Sequence, residues 1–310
     1  MLNELLDLPH NAKLVVSVWG EEALARVVRT GRLNADIPGT IVHVLNNALL
    51  ERAVRAEFVE AIIVPQSFGL DEAYFSSTAK HKAFIVSTNP EELFYNLHNA
   101  YADYCISSPV RQKGRVGESV CVHRTAVVGE GVDLGDRVTI GPYSVVGDNI
   151  SIGDGTYIGS HVVIGDDGLF WYDPSGERVH VKHVGRVQIG KNCHIQSHSV
   201  IARSCFSETA TSIGDFVNVG FHVTIGHDCI IDDRCSISSN AAIAGHTSVG
   251  KECWVGLGAL ISNTLAVGDR ASVKIGSVVV DDVMSEESVS GNFAIKHNLK
   301  LRDYMRSKRK

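Results

Sequence analysis

The sequence predicts a mainly β protein: a left-handed parallel β-helix of six-residue repeats, with an α/β domain before it and a short helical tail after it. Three observations carry that prediction. An aliphatic residue recurs at every sixth position from Val116 through Val122, Val128, Leu134, Ile140, Val146, Ile152 and Ile158 to Ile164. A second series runs at the same spacing from Ile189 to Val279, with Ser207 as its only exception. Glycine often takes the next position, as at Gly129, Gly147, Gly214 and Gly226. A period of six fits neither an α-helix nor an alternating strand, so it belongs to a repeat architecture.

Each repeat makes one short strand and one turn, and three of them close a triangular coil. Residues three repeats apart in the chain then stack on neighbouring strands, roughly 4.8 Å apart. The aliphatic side chain points into the prism, and the glycine relieves crowding where the backbone turns. Each coil buries its face only against the next, so stability accrues by stacking. The two series hold 9 and 16 positions, enough for about eight coils. Prisms of this kind wind left-handed, against the usual crossover preference, and spacing alone is silent on the hand.

The elements follow in order. Residues 1–105 lack the repeat and form the first domain, a candidate nucleotide- or sugar-binding unit. Segments 14–18, 40–45, 61–64 and 83–86 read as strands, and 48–57 and 91–101 as helices. The second helix opens on Thr88-Asn89-Pro90-Glu91-Glu92, with a capping residue, a first-turn proline and acids at the positive end of the dipole. The prism occupies 106–285. Within it, the step from Ile164 to Ile189 is not a multiple of six, so an excursion over 166–187 leaves the repeat. That excursion carries Phe170-Trp171-Tyr172, which would be costly to leave in water, and loops on a rigid scaffold commonly carry function. The tail, 286–310, reads as helical.

Composition narrows the classes. The N-terminus has no basic run ahead of an apolar one, so no signal peptide is expected. No apolar stretch approaches the roughly 18 residues of a membrane span; a cytoplasmic protein is the expectation. The net charge of −6 hides an asymmetry: from Gly291 to Lys310 seven basic residues face one acid. Such a tail can meet a cofactor phosphate or an acidic carrier protein. Nucleic acid is not an expected partner, because nothing else in the chain is basic in bulk. Cys193, Cys205, Cys229, Cys235 and Cys253 all fall four residues after a position of the six-residue series. There they are expected to serve as small hydrophobes of the core, with no disulfide.

Because the prism interior is filled, chemistry must use outward residues and loops. His227 lies two residues after Ile225, outside the core register, and Gly245 follows it by three repeats, one full coil. The neighbouring Asp228 has His246 at the same offset. The arithmetic gathers His227, Asp228, Gly245 and His246 on one edge. A histidine near neutrality, an acid to orient it and a bare amide for an oxyanion are the parts that acyl transfer requires.

Particular motifs strengthen that reading. Gly165-Asp166-Asp167-Gly168-Leu169-Phe170, Gly185-Arg186-Val187-Gln188-Ile189-Gly190 and Ile225-Gly226-His227-Asp228 resemble the UDP-3-O-acylglucosamine N-acyltransferases of lipid A synthesis. Val86-Ser87-Thr88-Asn89-Pro90 is similar to that family's linker-helix entry, so the likeness covers nearly the whole chain. It implies His227 as the catalytic base, Gly245 as the oxyanion donor, and a homotrimer with each site between two prisms. The family's uracil-sandwiching aromatic positions fall on His43 and Leu49. By contrast, His227-Asp228-Cys229, Trp254-Val255-Gly256 and Ser290-Gly291-Asn292-Phe293-Ala294 are similar to acetyl-CoA-dependent acetyltransferases of the sialic-acid and bacillosamine pathways. The two likenesses agree on chemistry and acceptor and differ in donor.

Together they imply N-acyl transfer from a thioester to the amine of a nucleotide-linked amino sugar, for lipopolysaccharide or another surface glycan. The favoured co-substrate is acetyl-CoA or another short acyl-CoA; acyl carrier protein is the alternative, and no metal is expected. Asp167, Phe170, Trp171, His246 and Arg203 are the candidates to hold the acceptor. Trp254, Lys274 and Lys296 are the candidates for the donor. Two other classes compete. His222 and His227 have the five-residue spacing of prism-fold zinc carbonic anhydrases, but the third ligand position falls on Arg186, with His194 or His198 as substitutes. A non-catalytic sugar-nucleotide-binding protein is the other.

Overall fold

A computed structural model describes residues 2–33, 37–78, 81–107, 114–173 and 176–291, and beyond these only 294, 296, 297, 299, 302, 306 and 307. Most of the basic tail, with the helix expected there, lies outside the described residues.

The first domain is built on a five-stranded sheet. Its strands are β1 (Val15–Trp19), β2 (Arg29–Thr30), β3 (Thr40–His43), β4 (Val59–Pro65) and β5 (Ala83–Ser87), in spatial order β1-β5-β4-β3-β2. Only β1 runs antiparallel to its neighbour. Both faces are covered, which is why Ala61, Ile62, Ile63 and Val64 are all fully buried. Ile63 and Ile85 pack with Leu93 and Leu97 of the helix Pro90–Ser107, while Ile62 and Phe84 pack with Leu50 and Phe75 on the other face. The Pro90–Ser107 helix starts where the sequence signals it: Asn89 Oδ1 accepts the Glu92 N–H at 3.3 Å. A shorter helix, Asn47–Arg55, is capped by Asn46, whose side chain accepts the Leu49 N–H. Strand β2, two residues long, has no pattern that a sequence could show.

The rest of the described chain is a left-handed parallel β-helix whose faces hold eight, seven and nine strands. Val127, Val145 and Val163 pair in register, each one coil after the last. From Leu134 to Val273 no aliphatic residue of the six-residue series is more than 3% exposed. The repeat's glycines act between coils: a Cβ at Gly129 would lie 2.7 Å from the Asp148 nitrogen, and one at Gly214 2.7 Å from the Asp233 nitrogen. The left-handed turns fall elsewhere in the repeat, on residues such as His161, His198, Asp228 and His246, with φ of 55°, 64°, 57° and 62°.

Register shows two lengthened coils and, at the end of the prism, a shortened one in which Ser272 pairs with Ser288. Tyr157 pairs with His194 rather than with the residue three repeats on, so the expected excursion lengthens this coil. His194 then pairs with Asn218, four repeats on, and only after that does the regular spacing of three return, with Asn218 on Ser236. A second excursion therefore lies between the strands Val200–Ala202 and Ala210–Ile213. This corrects the sequence reading of Ser207 as a lone exception and of Cys205 as a prism-core residue. An insertion one repeat long keeps the period in phase, so periodicity cannot detect it. Cys193, Cys229, Cys235 and Cys253 do line the prism core. Cys205 and Phe206 instead join the core of the first domain, with Phe94, Tyr95 and Val181.

The first excursion forms a hairpin, Trp171–Tyr172 against Val179–His180. Its three aromatics have separate fates. Tyr172 is buried against Tyr95 (ring centroids 5.3 Å) and donates to Asn96, while Phe170 turns toward the prism edge. Trp171 faces outward beneath the Arg178 guanidinium, 4.8 Å from its ring. Among the described residues, no helix is long and apolar enough to cross a membrane.

Candidate active site at the covered edge of the prism

The two excursions leave the prism at the same edge, and the first domain closes over them. His227, 9% exposed, sits at this edge one residue before the left-handed turn at Asp228. Its Nδ1 lies 2.9 Å from Asp228 Oδ2. Carboxylates only accept, so Nδ1 carries the proton of the neutral ring and Nε2 offers the lone pair. That Nε2 lies against Gly245, where an added Cβ would come within 2.8 Å of it. The predicted stacking of Gly245 on His227 is therefore realised, with glycine required for the ring to fit. The Gly245 N–H has no acceptor among the described residues.

Asp228 is the electrostatic centre. Burial alone would raise its pKa, but hydrogen bonds from His227 and Ser204 and the charge of Arg32 outweigh that and hold it well below the usual carboxylate range. Ser204 donates to Oδ1 together with Thr209 (3.2 Å), and the Cys205 N–H donates to Oδ2 at 3.2 Å. All three come from the second excursion, which thus anchors the acid. A carboxylate accepting several donors stays ionised and can hold an imidazolium.

Arg32 reaches in from the first domain, its guanidinium 2.9 and 2.8 Å from the two ring nitrogens of His246. Burial, then Arg32, lowers the His246 pKa to about 4, so this ring stays neutral. It stands edge-on to His227, centroids 4.5 Å apart. On the other side Phe170 stacks parallel to His227 at 5.7 Å, and His183 meets it edge-on at 5.0 Å. Burial, then His227, lowers His183 to about 3. A cavity of about 830 Å³ opens here, bounded by Asp167, Phe170, His227, Gly245 and His246. It continues along the eight-stranded face over Ala242, Ala244, Leu260, Val278 and Val280.

Of the residues singled out from sequence, His227, Asp228, Gly245, His246, Asp167 and Phe170 converge on this cavity. Trp171 does not line it. Arg203 donates from Nε to the Gly165 carbonyl at 2.6 Å, bracing the base of the excursion. Trp254 is exposed on the nine-stranded face, paired with Ser236 and Ser272. Lys274 donates to Ser272 on the same surface, and Lys296 is exposed in the tail. His43 lies against Phe94 within the first domain, ring centroids 4.5 Å apart and planes tilted by 39°. His222 stacks on His198 at 4.9 Å, on an edge apart from His227, and belongs to no cluster of metal-ligating side chains among the described residues. Sequence reasoning missed Arg32, His183, Ser204 and Thr209. The break at Ser207 was a signal for the last two; Arg32 had none.

Residues 131–166 match the family model of the bacterial transferase hexapeptide, six repeats. A comparison with curated proteins finds no match. Among solved structures, the chain is similar to a UDP-N-acetylglucosamine acyltransferase from Campylobacter jejuni, 25% identical over 58% of this chain and 68% of that one, with a TM-score of 0.51. It is also similar to the Arabidopsis UDP-N-acetylglucosamine acyltransferase (23% identity, 62% and 73% covered, TM-score 0.44). A third is the acetyltransferase domain of PglB from Neisseria gonorrhoeae FA1090 (14% identity, 82% and 97% covered, TM-score 0.25). Of these three, the likeness to the Campylobacter enzyme is the one that bears on chemistry.

Proposed function

We propose that this chain transfers an acyl group from a thioester to the amine of a nucleotide-linked amino sugar. One observation carries the reading: His227 is fixed by Asp228 with its free nitrogen against Gly245, at the mouth of an apolar cavity. In this reading the acceptor amine attacks the thioester carbonyl while His227 Nε2 takes its proton. The imidazolium is held by ionised Asp228, and the Gly245 N–H donates to the oxyanion. Collapse breaks the carbon–sulfur bond, and His227 returns the proton to the departing thiolate. Asp167 and Phe170 would hold the sugar. The chain would work as a homotrimer in the cytoplasm, a neighbouring subunit bringing Trp254, Lys274 and the basic tail with Lys296 to the donor. The similarity to a UDP-N-acetylglucosamine acyltransferase supports a sugar-nucleotide acceptor.

For the donor, acetyl-CoA or a short acyl-CoA is the first reading. A longer chain on acyl carrier protein is favoured by one feature: Leu260, Val278 and Val280 continue the cavity and are 47%, 53% and 65% exposed. Such an apolar run would cover methylenes at roughly 0.8 kcal/mol each. The test is thiol release with acetyl-CoA, longer acyl-CoAs or acyl carrier protein, each paired with amino-sugar nucleotides and their N-acetylated counterparts. Release that depends on the free amine and disappears in His227→Ala supports the proposal. Release with only the N-acetylated acceptors, or with none, overturns it.

A further inference from the structure

We propose that Asp167, His180 and His183 form a site for a divalent transition-metal ion of the zinc class, which clasps the first excursion beside the prism edge. This departs from the metal-free expectation of the sequence, and it stands or falls independently of acyl transfer.

One ligating atom from each of the three side chains lies within 4.8 Å of the other two. A second observation points to a missing partner. His183 is 3% exposed, and its Nδ1 lies 2.9 Å from the Val181 carbonyl oxygen. A carbonyl can only accept, so Nδ1 bears the proton and Nε2 is a bare acceptor. That Nε2 is buried with no hydrogen-bond partner among the described residues. Buried acceptors are almost always satisfied, and an orphan calls for an explanation such as an ion. An imidazole whose second nitrogen donates to a backbone carbonyl is also how proteins orient a metal ligand.

The chemistry selects the ion class. Two imidazoles and one carboxylate suit zinc and its transition-metal neighbours rather than magnesium or calcium, which take oxygen ligands. Closing to the roughly 3.3 Å between ligands of a tetrahedral site needs modest movement, and Asp167 and His180 are exposed side chains able to supply it. The placement has a mechanical consequence. Asp167 follows the strand Val163–Asp166, His180 ends the hairpin strand Val179–His180, and His183 lies on the return. An ion there would tie both ends of the excursion, removing loop freedom, and would set the wall that Phe170 and Gly168 present to His227. The nearby His227, Asp228 and His246 cluster is a poorer host, because Asp228 already accepts from His227 and the Arg32 cation sits on His246.

The experiment is zinc chloride titration of the full chain after chelator treatment, read by metal content after desalting and by thermal shift. The expected result is one zinc per chain, with affinity weakened at least tenfold in His180→Ala and in Asp167→Asn and unchanged in His222→Ala. His180 and Asp167 are exposed, so these variants keep the test open if His183→Ala does not fold. Retention well below one zinc per chain, unaltered binding in both His180→Ala and Asp167→Asn, or loss in His222→Ala, overturns the proposal.

Discussion

Two edges of the same prism carry histidines at the same kind of left-handed turn, and only one of them is equipped for chemistry. On one edge His161, His198 and His222 stack ring over ring, 4.9 Å apart and within 10° of parallel, all exposed. On the other, His227 and His246 stand at 88° to each other, beneath two excursions and the first domain. Turn geometry is shared, since φ is 54° at His222 and 62° at His246. What differs is cover. On the open edge the rings meet one another and Tyr143, whereas the covered edge supplies Asp228, Ser204, Arg32 and Phe170. A repeat can thus present histidines cheaply along its length, but it orients and desolvates one only where the repeat is interrupted.

Substitutions at either edge test this difference in cover. The largest effect is expected from His227→Ala, which should lower acyl transfer by about 10²–10⁴ while leaving the fold intact; steady-state thiol release checks it. Gly245→Ala comes next. The new methyl, 2.8 Å from His227 Nε2, should push the ring away from the oxyanion donor and lower turnover by about 10², with an unchanged circular dichroism spectrum.

Acid should act through a buried histidine at the domain junction. His98 is fully buried between Thr30 Oγ1 (2.7 Å) and the Lys182 carbonyl (2.8 Å), and burial lowers its pKa from 6.5 to about 4. Above pH 6.5 neither the folded nor the unfolded chain binds this proton. As pH falls from 6.5 toward about 4, only the unfolded chain takes it up, so His98 should remove on the order of 3 kcal/mol of stability across that window. Denaturant unfolding at several pH values should show the slope, and His98→Gln should reduce it by the share of His98, leaving the part due to His183 and His246, which burial also lowers. The smallest effect is expected on the open edge: His222→Ala should leave transfer unchanged and stability within about 0.5 kcal/mol. A large loss of activity there would erase the distinction between the edges.

Much of the site was legible because stacking converts sequence offset into proximity. Gly245 follows His227, and His246 follows Asp228, by one regular coil, so arithmetic brought the four together. Asp167 and Phe170 were legible as the content of a phase-breaking excursion. Ser204 and Thr209 were missed because their excursion is one repeat long and preserves the phase, leaving the polar Ser207 as its mark in the series. Trp171 and Arg203 read as acceptor-binding residues but line no part of the cavity; nothing local tells which of three successive aromatics turns inward.

The period alone determined the prism, its buried aliphatic series and the stacking of Gly245 on His227, because each of these depends only on contacts between neighbouring coils. Tertiary structure decided which histidine-bearing edge is covered. Arg32 reaches His246 across 214 residues of chain, and Cys205 leaves the prism for the first domain. These contacts join elements with different periods, so no single spacing encodes them.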